Sequence, residues 1–179
     1  MKEVVLGVTG SIAAYKSADI ANTLVKQGIN VNVIMTNAAA KFITPLTFQT
    51  LTKNKVYVDM FEEIAYSDVR HISLAQKADC CAIAPATANI IGKIASGIAD
   101  DMLSTVVMAI RDTPIIICPA MNTAMYENPI TQGNISKLQE YGYLFVEPKE
   151  SLLACGDLGK GALADVDVIV TAILNAIGG

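Results

Sequence analysis

Short apolar runs that end at turn residues recur along the chain. The run VVLGVT ends in a Thr-Gly-Ser turn, and PIIIC stops at Pro119. Runs of this length between turn signals are typical of strands buried on both faces. The pattern predicts five strands, over residues 4–9, 31–35, 80–84, 114–118 and 143–146.

Segments with helical spacing separate these runs. Ala14, Ala18, Ala21 and Val25 recur every three or four residues, and Gly28 follows as a stop signal. The same criterion predicts helices over residues 12–26, 130–141 and 166–177, short helices around Pro45 within 38–52, and helical structure over 88–110 that Gly92 and Gly97 interrupt. The Gly-rich residues 151–161 indicate a loop. Strand–helix alternation over residues 1–179 predicts one α/β domain, a parallel sheet with helices on both faces.

Composition limits the class of protein. Hydrophobic residues make up 53% of the chain and charged residues 17%, and the net charge is −4. Charged residues reach roughly 25% in typical domains, so this apolar excess predicts a patch buried between subunits of a homo-oligomer. The lack of a basic run argues against a nucleic-acid partner. No uncharged apolar stretch reaches the roughly 18 residues of a membrane helix, so no membrane association is expected.

The start of the chain and its cysteines indicate the compartment. The first residues lead directly into a strand without a small-residue cleavage site, unlike a signal peptide. Cys80, Cys81, Cys118 and Cys155 show no Cys-x-x-Cys spacing, and His71 is the only histidine. We therefore expect no metal site and a reduced, cytoplasmic protein.

Small or neutral polar residues follow four of the strands, where parallel strands place ligand sites. They are Gly10, Ser11, Ile12, Thr36, Asn37, Ala38, Thr87, Ala88, Asn89, Ala120, Met121 and Asn122. Such turns cap helices and also bind phosphate through free N–H groups, and each turn by itself allows both interpretations. The first turn is neither Gly-x-Gly-x-x-Gly nor a Walker loop. These uncharged turn residues match a ligand with one phosphate and a large neutral ring, which favours flavin mononucleotide (FMN) over a dinucleotide.

Two side chains are candidates for chemistry. A lone histidine such as His71 is more often structural than catalytic, so both interpretations stay open. Cys155 lies among glycines in a segment expected to form a mobile flap, and a thiol with a pKa of about 8.5 is mostly protonated near neutrality and can donate a proton. The other three cysteines fall in or at the end of predicted strands and are expected in the core, with Cys80 and Cys81 on opposite faces.

Five motifs occur in the order of a known family. They are GSIAAYK (10–16), the histidine at 71, PATAN (85–89), PAMNTAMYENP (119–129) and ACGDLGKG (154–161). Together they resemble the homo-oligomeric flavin-containing cysteine decarboxylases, over essentially the whole chain. The resemblance implies a flavodoxin-like Rossmann fold, assembly into homotrimers or homododecamers, and FMN bound between subunits.

The resemblance also implies site residues. His71 of a neighbouring subunit would act as catalytic base or orienter, Asn122 would hold the substrate carboxylate beside Met125, and Cys155 would reprotonate the product. The residues implied to bind FMN are Gly10, Ser11, Ile12, Thr36, Asn37 and Ala38 at the phosphate, Phe42 against the flavin, and Thr87, Ala88, Asn89 and Ala120 along the ring.

The implied reaction is decarboxylation of phosphopantothenoylcysteine to phosphopantetheine in coenzyme A biosynthesis. Flavin oxidises the substrate to a thioaldehyde, carbon dioxide leaves, and the enethiol is reduced again. Bifunctional relatives carry a ligase domain after this one, so the ligase is expected either as a separate phosphopantothenoylcysteine synthetase, which would be a partner, or as part of a longer chain. The chain departs from the family at Gly161-Ala162-Leu163, where Gly-Arg-Met is common, and at Ile90, where many relatives have Thr.

Four other functions compete with this interpretation. A flavin prenyltransferase would need a different first loop and basic residues for a prenyl phosphate. A decarboxylase acting on the C-terminal cysteine of a peptide would share the motifs. A non-catalytic flavin-binding subunit would lack the histidine or the flap cysteine, and an electron-transfer flavodoxin needs no thiol flap.

Overall fold

Five parallel strands form the centre of the computed structural model, which describes residues 1–61, 70–152 and 158–178. The strands are β1 (Glu3–Val8), β2 (Asn30–Met35), β3 (Cys80–Ala86), β4 (Ile115–Pro119) and β5 (Leu144–Phe145). All five predicted strands are confirmed, close to their predicted bounds. Their order in the sheet is β2-β1-β3-β4-β5, so the direction of winding reverses between β1 and β3. A ligand site is expected at the carboxyl ends of the strands beside that reversal.

Helices cover both faces of this sheet. They are α1 (Lys16–Lys26), α2 (Pro45–Thr52), α3 (Arg70–Lys77), α4 (Ala88–Ser96), α5 (Met102–Ala109), α6 (Thr123–Glu127), α7 (Pro129–Glu140) and α8 (Val166–Gly178), with short 3-10 helices at Ile12–Tyr15 and Ala39–Lys41. The predicted helices are confirmed, whereas α3 and α6 were not predicted. Among the described residues, no helix has the length and apolar character needed to cross a bilayer.

The sheet is buried on both faces because each face packs against its own apolar cluster. Cys80 and Cys118 belong to one cluster and Cys81 to the other, so the predicted core positions are confirmed. Burial raises the pKa of the Cys80 thiol to about 12 and raises the pKa values of the Cys81 and Cys118 thiols as well. These three thiols are therefore protonated and shielded from solvent at neutral pH.

The region predicted as interrupted helical structure breaks at one glycine rather than two. Gly92 lies inside α4, so the prediction that it interrupts the helix is wrong. Gly97 ends α4 in a left-handed conformation with φ of +69°, which glycine adopts without steric cost. Asp101 then starts α5 through a capping box with Ser104.

The described part of residues 151–161 forms strands rather than the predicted loop. Lys149–Leu152 (β6) and Leu158–Ala162 (β7) pair as an antiparallel hairpin, and residues 153–157, which include Cys155, lie outside the described residues. The hairpin docks on the segment after β4, where the Met121 N–H donates to the Gly161 carbonyl at 2.9 Å. A Cβ at Gly159 would lie 2.5 Å from Thr123 Oγ1, and a Cβ at Gly161 would overlap the Met121 carbonyl oxygen. These two glycines therefore allow close packing of the hairpin against the segment after β4.

A polar contact outside the sheet holds the same hairpin. Lys160 Nζ lies 2.7 Å from Glu147 Oε2, which also accepts a hydrogen bond from the Tyr126 hydroxyl at 3.0 Å. The Lys160 ammonium lies 5.6 Å from the centroid of the Tyr126 ring. Because Tyr126 belongs to α6, this contact joins β7 to the helix that follows the Met121 segment.

Substitution of Gly161 tests whether close packing holds the hairpin in place. Gly161→Ala should lower the melting temperature, because overpacking costs about 1–3 kcal/mol and each kcal/mol shifts the midpoint by roughly 2–4 °C in a domain of this size. Gly133→Ala is the matched control: it lies in α7 with nothing within 4 Å of the added Cβ. Replacing this helical glycine by alanine should raise the free energy of unfolding by about 0.5–1 kcal/mol. Equal melting temperatures for the two variants, measured by circular dichroism, would contradict the packing.

Candidate functional site

A cavity of about 1100 Å³ opens at the carboxyl ends of β1 to β4, with the hairpin on one side. Drug-sized ligand sites usually enclose about 300–1,000 Å³, so this cavity has room for a cofactor and a substrate together. Twelve of the predicted site residues line its wall: Gly10, Ser11, Ile12, Thr36, Asn37, Ala38, Thr87, Ala88, Asn89, Ala120, Asn122 and Met125. The turns after four separate strands therefore form one wall.

Thr9 joins two of these turns. Its hydroxyl, in a residue only 1% exposed, donates to the Pro85 carbonyl at 2.7 Å and accepts from the Thr87 N–H at 3.0 Å. Thr87 in turn caps α4 by accepting from the Ile90 N–H at 3.4 Å. The turn after β1 and the turn after β3 are consequently held side by side.

The turns after β1 and β2 approach each other at Gly10. A Cβ at Gly10 would lie 2.5 Å from the Ala38 Cβ, so only glycine allows this approach without a shift. Ser11 Oγ accepts from the Ala13 N–H at 3.3 Å, and Thr36 Oγ1 accepts from the Ala39 N–H at 3.2 Å. Ser11 is the N-cap of the 3-10 helix at Ile12–Tyr15, whereas the Thr36 bond lies within the turn after β2, where Ala38 holds the N-cap position. These bonds leave the phosphate interpretation open, since a ligand phosphate would accept from backbone N–H groups at the same helix start.

Asn122 presents its carboxamide at the cavity wall in a defined orientation. Its Oδ1 accepts from the Ala124 N–H at 2.8 Å and caps α6. With the oxygen oriented toward the backbone, the amide nitrogen is the donor end of the side chain. The side chain thus places an uncharged hydrogen-bond donor group at the cavity wall.

Two of the predicted residues that the structure describes are not at this wall, and a third predicted residue is not among the described ones. His71 lies at the start of α3, is partly exposed, and is not among the residues that line the cavity of its own chain. Phe42 is 52% exposed and is also outside the lining. Cys155 lies outside the described residues. Within one chain, the described structure therefore does not bring His71 or Phe42 to the candidate site.

Charged residues line the cavity as well, and no motif in the sequence pointed to them. Lys93 Nζ lies 2.7 Å from Asp100 and 2.8 Å from Asp101, and hydrogen bonds to Asp100 and then Asp101 raise its pKa. The Asp-Asp pair before an apolar run is a sequence signal for a helix N-cap, but its contact with Lys93 could not be predicted from the sequence. Lys149 and Ser151, on β6, also line the wall, and the strand that carries them was not predicted. The described residues contain no group of His, Cys, Asp or Glu side chains suited to a metal ion.

Similarity to known proteins extends over almost the whole chain. A family model described as Flavoprotein matches residues 1–178. A Streptococcus mutans protein described as a probable phosphopantothenoylcysteine decarboxylase is 51% identical over 173 residues, which cover 96% of this chain and 97% of that protein. The Coenzyme A biosynthesis bifunctional protein CoaBC of Bacillus subtilis is 50% identical over 169 residues, covering 94% of this chain. The chain spans only 41% of that bifunctional protein.

Two solved structures share the fold. A PPC decarboxylase variant complexed with pantothenoylaminoethenethiol superimposes with a TM-score of 0.92 at 31% identity, covering 99% of each chain. The FMN-dependent cysteine decarboxylase SpaF superimposes with a TM-score of 0.85 at 32% identity, covering 98% of this chain and 97% of that one. The predicted single-domain Rossmann-like fold is thereby confirmed.

The approach of Gly10 to Ala38 is tested by a pair of substitutions. Gly10→Ala should lower the melting temperature by several degrees, since overpacking costs about 1–3 kcal/mol. Adding Ala38→Gly removes the methyl group that the new Cβ would meet and should restore most of the loss. Such coupling is what a double-mutant cycle measures. Additive losses in the cycle would show that the two turns do not meet as described.

Proposed function

Because the chain belongs to the flavoprotein family, we propose that it binds FMN and decarboxylates phosphopantothenoylcysteine to phosphopantetheine, a step of coenzyme A biosynthesis. The observation that carries the proposal is the single cavity whose wall combines the neutral turns after four strands with the oriented amide of Asn122. The relatives described above support the same substrate. On this proposal the enzyme works in the cytoplasm and receives its substrate from a phosphopantothenoylcysteine synthetase.

The residues at the wall are chemically suited to FMN. Gly10 lacks the Cβ that would meet Ala38, so the first two turns lie close together, and a helix starts at Ile12 on the same wall, where backbone N–H groups can bind a phosphate. Thr87, Ala88 and Asn89 offer small neutral groups for close contact with a flat polar ring. Bound FMN would supply the hydride acceptor and donor that make the carbon–carbon bond of the substrate labile. The protein would bind and orient both molecules.

Asn122 is proposed to hold the carboxylate that leaves as carbon dioxide. A cationic side chain would stabilise the anionic ground state, and binding that is no stronger in the transition state does not speed the reaction. A neutral amide still contributes a hydrogen bond to a charged group, worth about 1.5–3 kcal/mol. The nearby Met121 and Met125 side chains would keep this part of the wall apolar.

His71 and Cys155 complete the proposed catalytic set. The position of His71, partly exposed and away from its own cavity, supports a role in the site of a neighbouring subunit. Ile12 and Tyr15 are 58% and 57% exposed at the cavity wall, and such apolar side chains favour contact with a second copy of the chain. Cys155 is proposed to reprotonate the product. The hairpin that carries it docks beside Asn122, and the other three thiols are buried in the core.

The proposed function is tested directly with purified protein. The protein should be yellow or take up added FMN, and it should convert phosphopantothenoylcysteine to phosphopantetheine with release of carbon dioxide. A peptide ending in cysteine is the comparison substrate, followed by the same carbon dioxide assay and mass spectrometry. A protein that takes up no FMN, or that acts on the peptide in preference, would count against the proposal.

The role of Asn122 is tested by replacing its donor while keeping its cap. Asn122→Asp should preserve the bond from the Ala124 N–H, because aspartate caps helices as well as asparagine does. It replaces the amide nitrogen with a negative charge, so kcat/KM should fall roughly 10- to 100-fold or more.

Asn128 provides the matched control for that substitution. It caps α7 by accepting from the Ile130 N–H at 2.9 Å and does not line the cavity. Asn128→Asp should stay within about twofold of the parent kcat/KM, with a similar melting temperature. Unchanged turnover in Asn122→Asp would remove that residue from carboxylate binding.

A further inference from the structure

The charges at the cavity wall are divided into two groups. In the first, Lys93 is 19% exposed in its side chain and lies between the carboxylates of Asp100 and Asp101. One ammonium against two carboxylates leaves this part of the wall with a net negative charge. An anionic ligand group would be repelled there.

The second group has the opposite balance. Lys149, on β6, forms an ion pair with Asp165, which follows β7, and Lys16 lies within electrostatic range of the same carboxylate. Both lysines line the cavity. Two ammonium groups that share one carboxylate leave a net positive charge at the hairpin side of the cavity.

The hairpin directs Lys149 inward. Lys149 and Ser151 are two residues apart on β6 and both line the cavity, as expected for one face of a strand. Ala162 pairs opposite Lys149 and lines the same wall, but it contributes neither charge nor bulk. The Lys149 side chain remains 38% exposed, so its ammonium can reach a ligand while it stays close to Asp165.

We propose that Lys149 binds the phosphate monoester of the substrate, with Asp165 as the residue that positions its ammonium. This inference rests on the proposed function, in which the substrate carries one anion at each end. The carboxylate would lie at Asn122, and the phosphate would lie at the only part of the described wall where cations exceed carboxylates. The turns proposed for the FMN phosphate belong to β1 and β2, whereas Lys149 belongs to the hairpin that docks beside Asn122.

The test compares two substrates that differ only in the phosphate group. In Lys149→Met, kcat/KM for phosphopantothenoylcysteine should fall roughly 10- to 100-fold, mainly through KM, whereas kcat/KM for the dephosphorylated pantothenoylcysteine should stay within about twofold. Lys149→Arg should retain most of the preference for the phosphorylated substrate. FMN affinity, measured by fluorescence titration, should be unchanged in both variants.

Lys160→Met is the matched control. Lys160 belongs to the same hairpin and is also ion-paired, but it does not line the cavity. Its substitution should leave the ratio between the two substrates unchanged. An equal loss on both substrates in Lys149→Met, or no loss, would overturn the inference, and weakened FMN binding would assign this lysine to the cofactor phosphate instead. A parent enzyme inactive on both substrates would instead refute the proposed function, and the inference with it.

Discussion

The architecture of the site depends on how the end of β3 satisfies its backbone carbonyl groups. The regular pairing of β3 with β4 is interrupted between Ile83 and Ala86, in a part of the strand that is fully buried. Buried carbonyl groups without a hydrogen bond cost about 1–3 kcal/mol each, so partners outside the ladder are needed. Ser17 Oγ donates to the Ala84 carbonyl at 2.7 Å, and Thr9 Oγ1 donates to the Pro85 carbonyl at 2.7 Å. Both hydroxyls come from the segment that follows β1.

This constraint places the turn after β1 against the turn after β3, and the rest of the wall follows from it. With Thr9 and Ser17 fixed, the chain between them must pass close to the turn after β2, where Gly10 meets Ala38. The hairpin closes the opposite side through the bond from Met121 to Gly161. The same few backbone contacts therefore determine both the shape of the cavity and the identity of its glycines.

The sheet and most of the wall could be predicted from the sequence, because both depend on local signals. Buried strands appear as uninterrupted apolar runs, and residues after parallel strands share one edge whatever the details of packing. The hairpin could not be predicted in this way. Gly159 and Gly161 are typical of loops, but here the Thr123 side chain leaves no room for a Cβ at Gly159 and the Met121 backbone leaves none at Gly161, and both neighbours are distant in sequence. The pairs Lys93–Asp101 and Lys149–Asp165 likewise depend on tertiary contacts that no short pattern encodes.

The wall separates cofactor recognition from substrate recognition. The neutral groups proposed for FMN belong to turns at the ends of the sheet strands, whereas Lys149 and Ser151, the polar hairpin residues at the wall, belong to an element held by docking contacts. There is also an electrostatic reason for a neutral side chain at the position of Asn122. Excess positive charge beside Asn122 would stabilise the carboxylate that must leave, so a cation that binds the substrate is better placed at the far end of the molecule. On the proposal that Lys149 binds the phosphate, the lysine of the hairpin and the neutral amide of Asn122 would each hold one of the two anionic groups of the substrate.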